Sequence, residues 1–300
     1  MIKEAPHADF DARLAACAAE TEAFLAARIA ALGAPERLAS ALSHGALGGG
    51  KRLRPFLVRL SADLFGVPRA ESLAAGAALE MIHCYSLIHD DLPDMDNDQM
   101  RRGKPTVWKA FDPALAILAG DALLTEAFGL LADPATHPDP AIRADLVAVL
   151  ARGAGGNGMV GGQVLDIAAE TAPLDAEGIF AMQAKKTGAL IRTGVEMGAI
   201  LGRAEPAARD GLARFGAAAG LAFQIADDIL DVTASSGALG KTAGKDVAQN
   251  KSTIVALQGL EAARAVLDTA VADGIEALAG FGAEADLLRA LIRHFATRTH

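Results

Sequence analysis

Two runs of carboxylates have the composition and spacing of a metal site. The first is Asp90-Asp91-Leu92-Pro93-Asp94-Met95-Asp96-Asn97-Asp98, and the second is Asp227-Asp228-Ile229-Leu230-Asp231. Pro93 lacks an amide donor and disfavours helix at Leu92, so the apolar helix before it is expected to stop near Asp91. The acids then lie at a helix carboxyl end, where the macrodipole is already negative and further anions are unfavourable. In the second run Asp227 and Asp231 are four apart and stack on one helical face, a like-charge pair that costs roughly 0.2–0.5 kcal/mol. A bound cation offsets such costs. Every candidate ligand is a hard oxygen, which suits Mg²⁺ held by one or two carboxylates together with phosphate oxygens and water. A calcium loop does not fit: counted from Asp94, the sixth position is Gln99 rather than Gly and the twelfth is Pro105 rather than Glu.

Basic residues are gathered too. Of 28 lysines and arginines, eleven fall in four clusters: Lys51/Arg52/Arg54, Arg101/Arg102/Lys104, Lys185/Lys186 and Lys241/Lys245/Lys251. Clustered cations beside clustered acids fit a metal–polyphosphate ligand better than a solvated face. Gly45-Ala46-Leu47-Gly48-Gly49-Gly50-Lys51 has the spacing of a nucleotide phosphate loop. Arg52, however, stands where Ser or Thr would hold the metal, and no strand precedes it. What remains is a glycine loop that presents Lys51 and Arg54 to an anion. Arg101 and Arg102 follow the first acidic run, and an arginine fork can engage phosphate oxygens that the aspartates reach through metal. His83 lies seven residues before Asp90 on the same helical face, and with Cys84 and His89 it has no zinc spacing. Gly161-Gly162-Gln163-x-x-Asp166 and Lys186-Thr187-Gly188 set polar groups beside small residues, a pattern that ordinary helix packing also produces.

Helices must position these groups. Apolar residues recur at helical spacing over 9–32, 55–64, 70–91, 113–131, 140–151, 159–169, 175–201, 206–233, 253–279 and 284–296, with a short segment from 36 into the glycine loop. Pro113, Pro140 and Pro206 stand at helix starts, where proline is tolerated. Period-two Val/Ile/Thr runs are missing, so a sheet is not expected. Segments 72–88 and 216–226 are apolar on most sides, as central helices of a large bundle are. The expectation is one all-α domain over 1–300. A hydrophobic share of 52% against 22% charged excludes extended disorder, and a net charge of −9 argues against nucleic acid, which needs a basic face. Cys17 and Cys84 cannot build a disulfide framework. The first residues do not read as a signal peptide, and no window of eighteen uncharged apolar residues occurs, so no membrane span and a cytoplasmic location are expected.

Taken in order, these segments resemble the trans-isoprenyl diphosphate synthases, in their bacterial farnesyl diphosphate synthase type. The resemblance runs through Gly48-Gly49-Gly50-Lys51-Arg52-Leu53-Arg54-Pro55, both aspartate runs, Gly161-Gly162-Gln163, Lys186-Thr187-Gly188 and Phe223-Gln224. It continues to Leu239-Gly240-Lys241-Thr242-Ala243-Gly244-Lys245-Asp246. It implies an isoprenoid-synthase-type helical bundle around a central cavity, usually a homodimer. The implied reaction is the Mg²⁺-dependent condensation of isopentenyl diphosphate with dimethylallyl and geranyl diphosphate to farnesyl diphosphate. A geranylgeranyl or geranyl diphosphate synthase of the same family is the alternative.

By that resemblance Asp90, Asp96 and Asp227 are the main ligands of three Mg²⁺ ions, assisted by Asp91 and Asp231. Arg101, Lys186, Lys241 and Lys251 hold the allylic diphosphate. Gly50, Lys51, Arg54, His83 and Arg102 hold isopentenyl diphosphate. The Lys186 and Thr187 carbonyls and the Gln224 side chain face the allylic cation, and the released diphosphate takes the final proton. Tyr85 lies five residues before Asp90, roughly 7.5 Å down the helix axis, and in this family a bulky residue there is the floor that stops the chain at fifteen carbons. Trp108, Asp94 and Gln99 depart from residues common in relatives, and Arg298-Thr299-His300 resembles the family's basic tail. A class I terpene cyclase needs no second diphosphate site, which Lys51, Arg54 and His83 resemble. A non-catalytic partner subunit is expected to have lost an aspartate motif, and both are intact.

Overall fold

The computed structural model describes residues 5–237 and 254–297, with side chains over 9–233 and 254–297. The described residues fall into two compact units, one drawn from 1–148 with 200–203 and the other from 149–199 with 204–300.

The first unit contains α1 (Ala5–Ala31), α2 (Glu36–Ala46), α3 (Leu53–Asp63) and α4 (Arg69–Asp90). A two-residue antiparallel hairpin follows, β1 (Met100–Arg101) against β2 (Lys104–Pro105), then α5 (Val107–Ala110) and α6 (Pro113–Ala132). α4 is the central helix and packs on α3 and α6. Its Ala74, Ala75, Ala77, Ala78, Leu79, Met81 and Ile82 are buried. Gly76 is required for this closeness, because a methyl there would come 3.0 Å from the Pro55 Cα on α3. α6 starts where the sequence marks it: Asp112 caps the Leu115 amide at 2.8 Å and Pro113 opens the first turn. α6 is also long and apolar enough to cross a membrane by length and composition, and 44% of its most apolar stretch is buried in protein.

α7 (Pro140–Ala154) leads to α8 (Met159–Ala169), α9 (Ala176–Gln183), a π turn (Ala184–Gly188) and α10 (Ala189–Leu201). α11 (Pro206–Gly237), α12 (Ile254–Gln258), α13 (Leu260–Ala277), a 3₁₀ turn (Ala283–Ala285) and α14 (Asp286–Thr297) complete the described chain. α11 is the spine of the second unit and packs on α13, α14 and the π turn. Phe223 of α11 meets Phe295 of α14 edge to face at 5.2 Å between centroids.

The helical class is as expected, with three local differences. The span 253–279 is broken at Gly259, whose φ of 86° leaves the helical region and separates α12 from α13. The span 175–201 contains the π turn. A hairpin exists where no strand is expected, set by the φ values of Arg102 (51°) and Gly103 (75°), the two positive angles of a tight two-residue turn.

Candidate active site

α4 delivers Asp90 in its last turn, and the chain beyond it doubles back. The amides of Met95 and Asn97 donate to the Leu92 carbonyl at 2.9 and 3.0 Å, and Asn97 takes a left-handed φ of 52°. The Asp96 amide then donates to the Asp90 carbonyl at 2.8 Å, so both aspartates spring from one compact turn. Both are half-buried, whereas Asp94 and Asp98 are exposed. Trp108 Nε1 and Thr106 Oγ1 each donate to the Asp98 carbonyl at 2.8 Å and close the far side of the loop. Asp91 points elsewhere. It is 3% exposed, and one of its oxygens accepts from Arg101 Nε at 2.8 Å and lies 2.7 Å from an Nη of the same guanidinium in an ion pair. Burial pushes the Asp91 carboxyl above its usual pKa, against the opposing pull of Arg101.

The hairpin brings the second cationic cluster to the glycine loop. Arg102 Nη1 donates to the Gly49 carbonyl at 2.5 Å, and a side chain at Gly50 would meet the same guanidinium. His44, on α2, binds the Pro105 carbonyl at 2.7 Å through Nε2. Lys51 is exposed and Arg54 half-buried. His83, half-buried on α4, is held neutral: burial and then the charges of Arg54, Arg102, Arg52 and Arg101 push its pKa well below the usual imidazole value. Those four guanidinium groups are therefore close enough to act on one imidazole. Tyr85, 7% exposed, meets the His89 ring edge to face at 5.7 Å.

The remaining site residues belong to the second unit. A π turn inside a helix is a frequent mark of function, and this one carries Lys186 and Thr187. It is packed from two sides. Gly162 of α8 lies against the Lys186 backbone with no room for a methyl, and at Gly220 of α11 a methyl would come 2.8 Å from the Gly188 Cα. Lys186 Nζ is paired with Asp166 of α8. One turn beyond Gly220, Gln224 lines a cavity of about 390 Å³ together with Gln183, Gly188, Gly220 and Leu221. Gln183 Nε2 donates to the two oxygens of Asp228 at 3.4 and 3.1 Å, and the Ile254 amide adds a bond at 3.3 Å. Burial raises the Asp228 pKa against those bonds. Asp228 is thus buried, while Asp227 is half-buried and Asp231 exposed.

The first unit gathers Asp90, Asp96, Arg101, Arg102, Gly50, Lys51, Arg54, His83 and Tyr85. The second carries Lys186 and Thr187 on the π turn packed against α11, and on α11 it carries Gln224, which lines the cavity, with Asp227 and Asp231 further along. Lys241 and Lys251 lie outside the described residues. Four residues with positioning contacts did not stand out as such in the sequence: Arg52, Trp108, Asp166 and Gln183. Only Asp166 left a signal, its spacing from Gly161-Gly162-Gln163.

The polyprenyl synthetase family profile matches residues 35–279. A farnesyl diphosphate synthase of Micrococcus luteus is 43% identical over 265 residues, covering 88% of this chain and 90% of that one. One from Escherichia coli (strain K12) is 45% identical over 260 residues, covering 85% and 87%. The crystal structure of an FPP/GFPP synthase from Zymomonas mobilis superposes with a TM-score of 0.87 at 43% identity, covering 97% of this chain and 99% of that one. A family match that spans most of the chain, over both aspartate runs, makes this protein a member of the polyprenyl synthetase family.

Proposed function

We propose that this chain is a farnesyl diphosphate synthase, joining isopentenyl diphosphate first to dimethylallyl and then to geranyl diphosphate. One observation carries the reading. Arg102 is bonded to the glycine loop at Gly49, while its neighbour Arg101 is bonded to Asp91 in the acidic turn. Two adjacent arginines thus tie a loop of cations to a turn of carboxylates. That is what a site for two diphosphates needs, one held by cations alone and one held through metal.

The donor set fits Mg²⁺. Among the described residues no three His, Cys, Asp or Glu side chains converge on one point. Pairs of carboxylates completed by substrate phosphates and water are the usual Mg²⁺ arrangement. Asp90, Asp96 and Asp227 would hold the ions, three in number, with Asp231 assisting; Asp91 acts by holding Arg101. Bound Mg²⁺ supplies positive charge to the departing diphosphate.

The chain's own residues do the rest. Arg101, Lys186, Lys241 and Lys251 bind the allylic diphosphate and stabilise charge as it leaves; one such contact at 4 Å is worth about 4 kcal/mol at an effective dielectric near 20. Lys51, Arg54, Arg102 and neutral His83 hold isopentenyl diphosphate, with Gly50 allowing the loop to approach. The Lys186 and Thr187 carbonyls and the Gln224 side chain turn negative dipole ends toward the allylic cation, and apolar walls keep water from it. The diphosphate released in the first step takes the proton lost in the last. Tyr85 closes the tail cavity at fifteen carbons.

The whole chain acts as one synthase domain, a cytoplasmic homodimer; the exposure of Ile117 (45%) and Leu118 (56%) on α6 supports the pairing. Incubation with Mg²⁺, isopentenyl diphosphate and dimethylallyl diphosphate, followed by mass spectrometry, is the test. A fifteen-carbon product is expected. A twenty-carbon product keeps the family chemistry and overturns the Tyr85 stop, and no product with either allylic starter overturns the reading.

A further inference from the structure

Arg52 lies between two cations assigned to substrate, Lys51 and Arg54, yet its own side chain is only 1% exposed. It bonds three separate helices. Nη1 donates to Glu80 Oε1 of α4 at 2.8 Å, Nη2 to the Ala46 carbonyl of α2 at 2.6 Å, and Nε to Glu22 Oε2 of α1 at 3.1 Å. The backbone at Arg52 is left-handed, φ 49° and ψ 43°, a conformation costly for a residue with a Cβ and stable only where its surroundings over-determine it. That conformation ends the glycine loop and starts α3, and the Phe56 amide takes the Arg52 carbonyl at 3.2 Å. Glu80 is three residues before His83, so the two lie on one side of α4. The guanidinium therefore ties the loop bearing Lys51 to the stretch of α4 bearing His83.

We propose that Arg52 is the positioning residue of the isopentenyl diphosphate subsite, setting Lys51 and Arg54 at a fixed separation from His83. The proposal rests on the assignment of those three residues to that substrate. Arg52 does not itself touch substrate; it acts through the loop. A lysine cannot replace it fully, because an ammonium has three donors at one point while these acceptors are spread around a planar fork.

The experiment compares Arg52→Met, Arg52→Lys and Glu22→Gln with Lys51→Ala, measuring KM for each substrate, kcat and the thermal midpoint. Arg52→Met is expected to raise KM for isopentenyl diphosphate about tenfold, with the allylic KM within about twofold of wild type; Arg52→Lys falls between. A purely structural role moves both KM values together or only the midpoint, and either result overturns the proposal. If Arg52→Met does not fold, Glu22→Gln decides: its glutamate is 34% exposed, and a selective rise of about threefold supports the proposal while no change overturns it. An unchanged KM in Lys51→Ala overturns the subsite assignment and the proposal with it. A raised KM there beside an unchanged one in Arg52→Met overturns the proposal alone.

Discussion

One oxygen of Asp91 accepts a hydrogen bond from Arg101 Nε at 2.8 Å and is ion-paired with an Nη of the same guanidinium at 2.7 Å, while the preceding residue, Asp90, is half-buried in the same helical turn. Consecutive helical residues are about 100° apart around the axis, so two identical side chains face different tasks. Asp91 orients a cation, and Asp90 is the one of the two proposed to hold metal. Asp91→Asn keeps the shape and removes the charge, which also relieves the burial cost that raises its pKa. Its stability loss is expected to stay within about 1–2 kcal/mol. The allylic KM rises about five- to tenfold, whereas Asp90→Asn lowers kcat by about a hundredfold or more. Thermal melts and steady-state kinetics on the two variants separate the roles.

Lys186 and Asp166 offer a second separation. Their side chains are 26% and 27% exposed, so the pair contributes at most about 1 kcal/mol to stability. Lys186→Ala is therefore expected to melt close to wild type while losing about a hundredfold in kcat/KM for the allylic substrate. A loss of structure in proportion to activity, read by circular dichroism, contradicts the assignment of Lys186 to the diphosphate.

Much of this arrangement was legible because local rules and tertiary packing agree. Pro113, Pro140 and Pro206 are the first residues of α6, α7 and α11, and Pro93 is followed by the turn that carries Asp96. The failures have physical causes. A π turn is an extra residue in a continuous helical pattern, so periodicity over 175–201 passes straight through it. Gly259 could sit in a helix or break one, and only φ decides. Arg52 looks like a failed phosphate-loop residue until Glu22 and Glu80, 30 and 28 positions away, are folded against it. Two-residue strands are too short for alternation, and Arg102 is not a residue type that announces a left-handed turn.

The two cysteines give a pH prediction. Burial raises Cys17 to about 11 and Cys84 to about 12. A thiol at the reference value of 9.0 is about 10% thiolate at pH 8, and one near 11 about 0.1%. Cys17, half-buried, is expected to alkylate about a hundredfold more slowly than a free thiol at pH 8. Its rate climbs tenfold per pH unit until the pH approaches its raised pKa. Cys84, buried, reacts only on unfolding. Timed iodoacetamide labelling with mass readout checks both, and rapid labelling of Cys84 in the native protein contradicts the packing around Arg52.

On the proposed reading, product length turns on how firmly Tyr85 is held. Its ring meets His89 edge to face one turn further along α4, and His89 Nε2 binds the Ile117 carbonyl of α6 at 3.1 Å. Gly120 makes the seat for that imidazole, since a methyl there would run into Nε2. The proposed floor is thus a stack: Tyr85 rests against His89, and His89 is bonded to α6. Tyr85→Ala removes the stop and is expected to shift product from fifteen carbons to twenty or more, with little change in kcat for the first condensation. Gly120→Ala leaves Tyr85 in the sequence but displaces His89, losing one hydrogen bond of about 0.5–1.5 kcal/mol. It is expected to give a mixture of fifteen- and twenty-carbon products. Chromatography of the dephosphorylated products distinguishes the cases. A fifteen-carbon product from both variants means that Tyr85 is only a packed aromatic and that the stop lies elsewhere in the bundle.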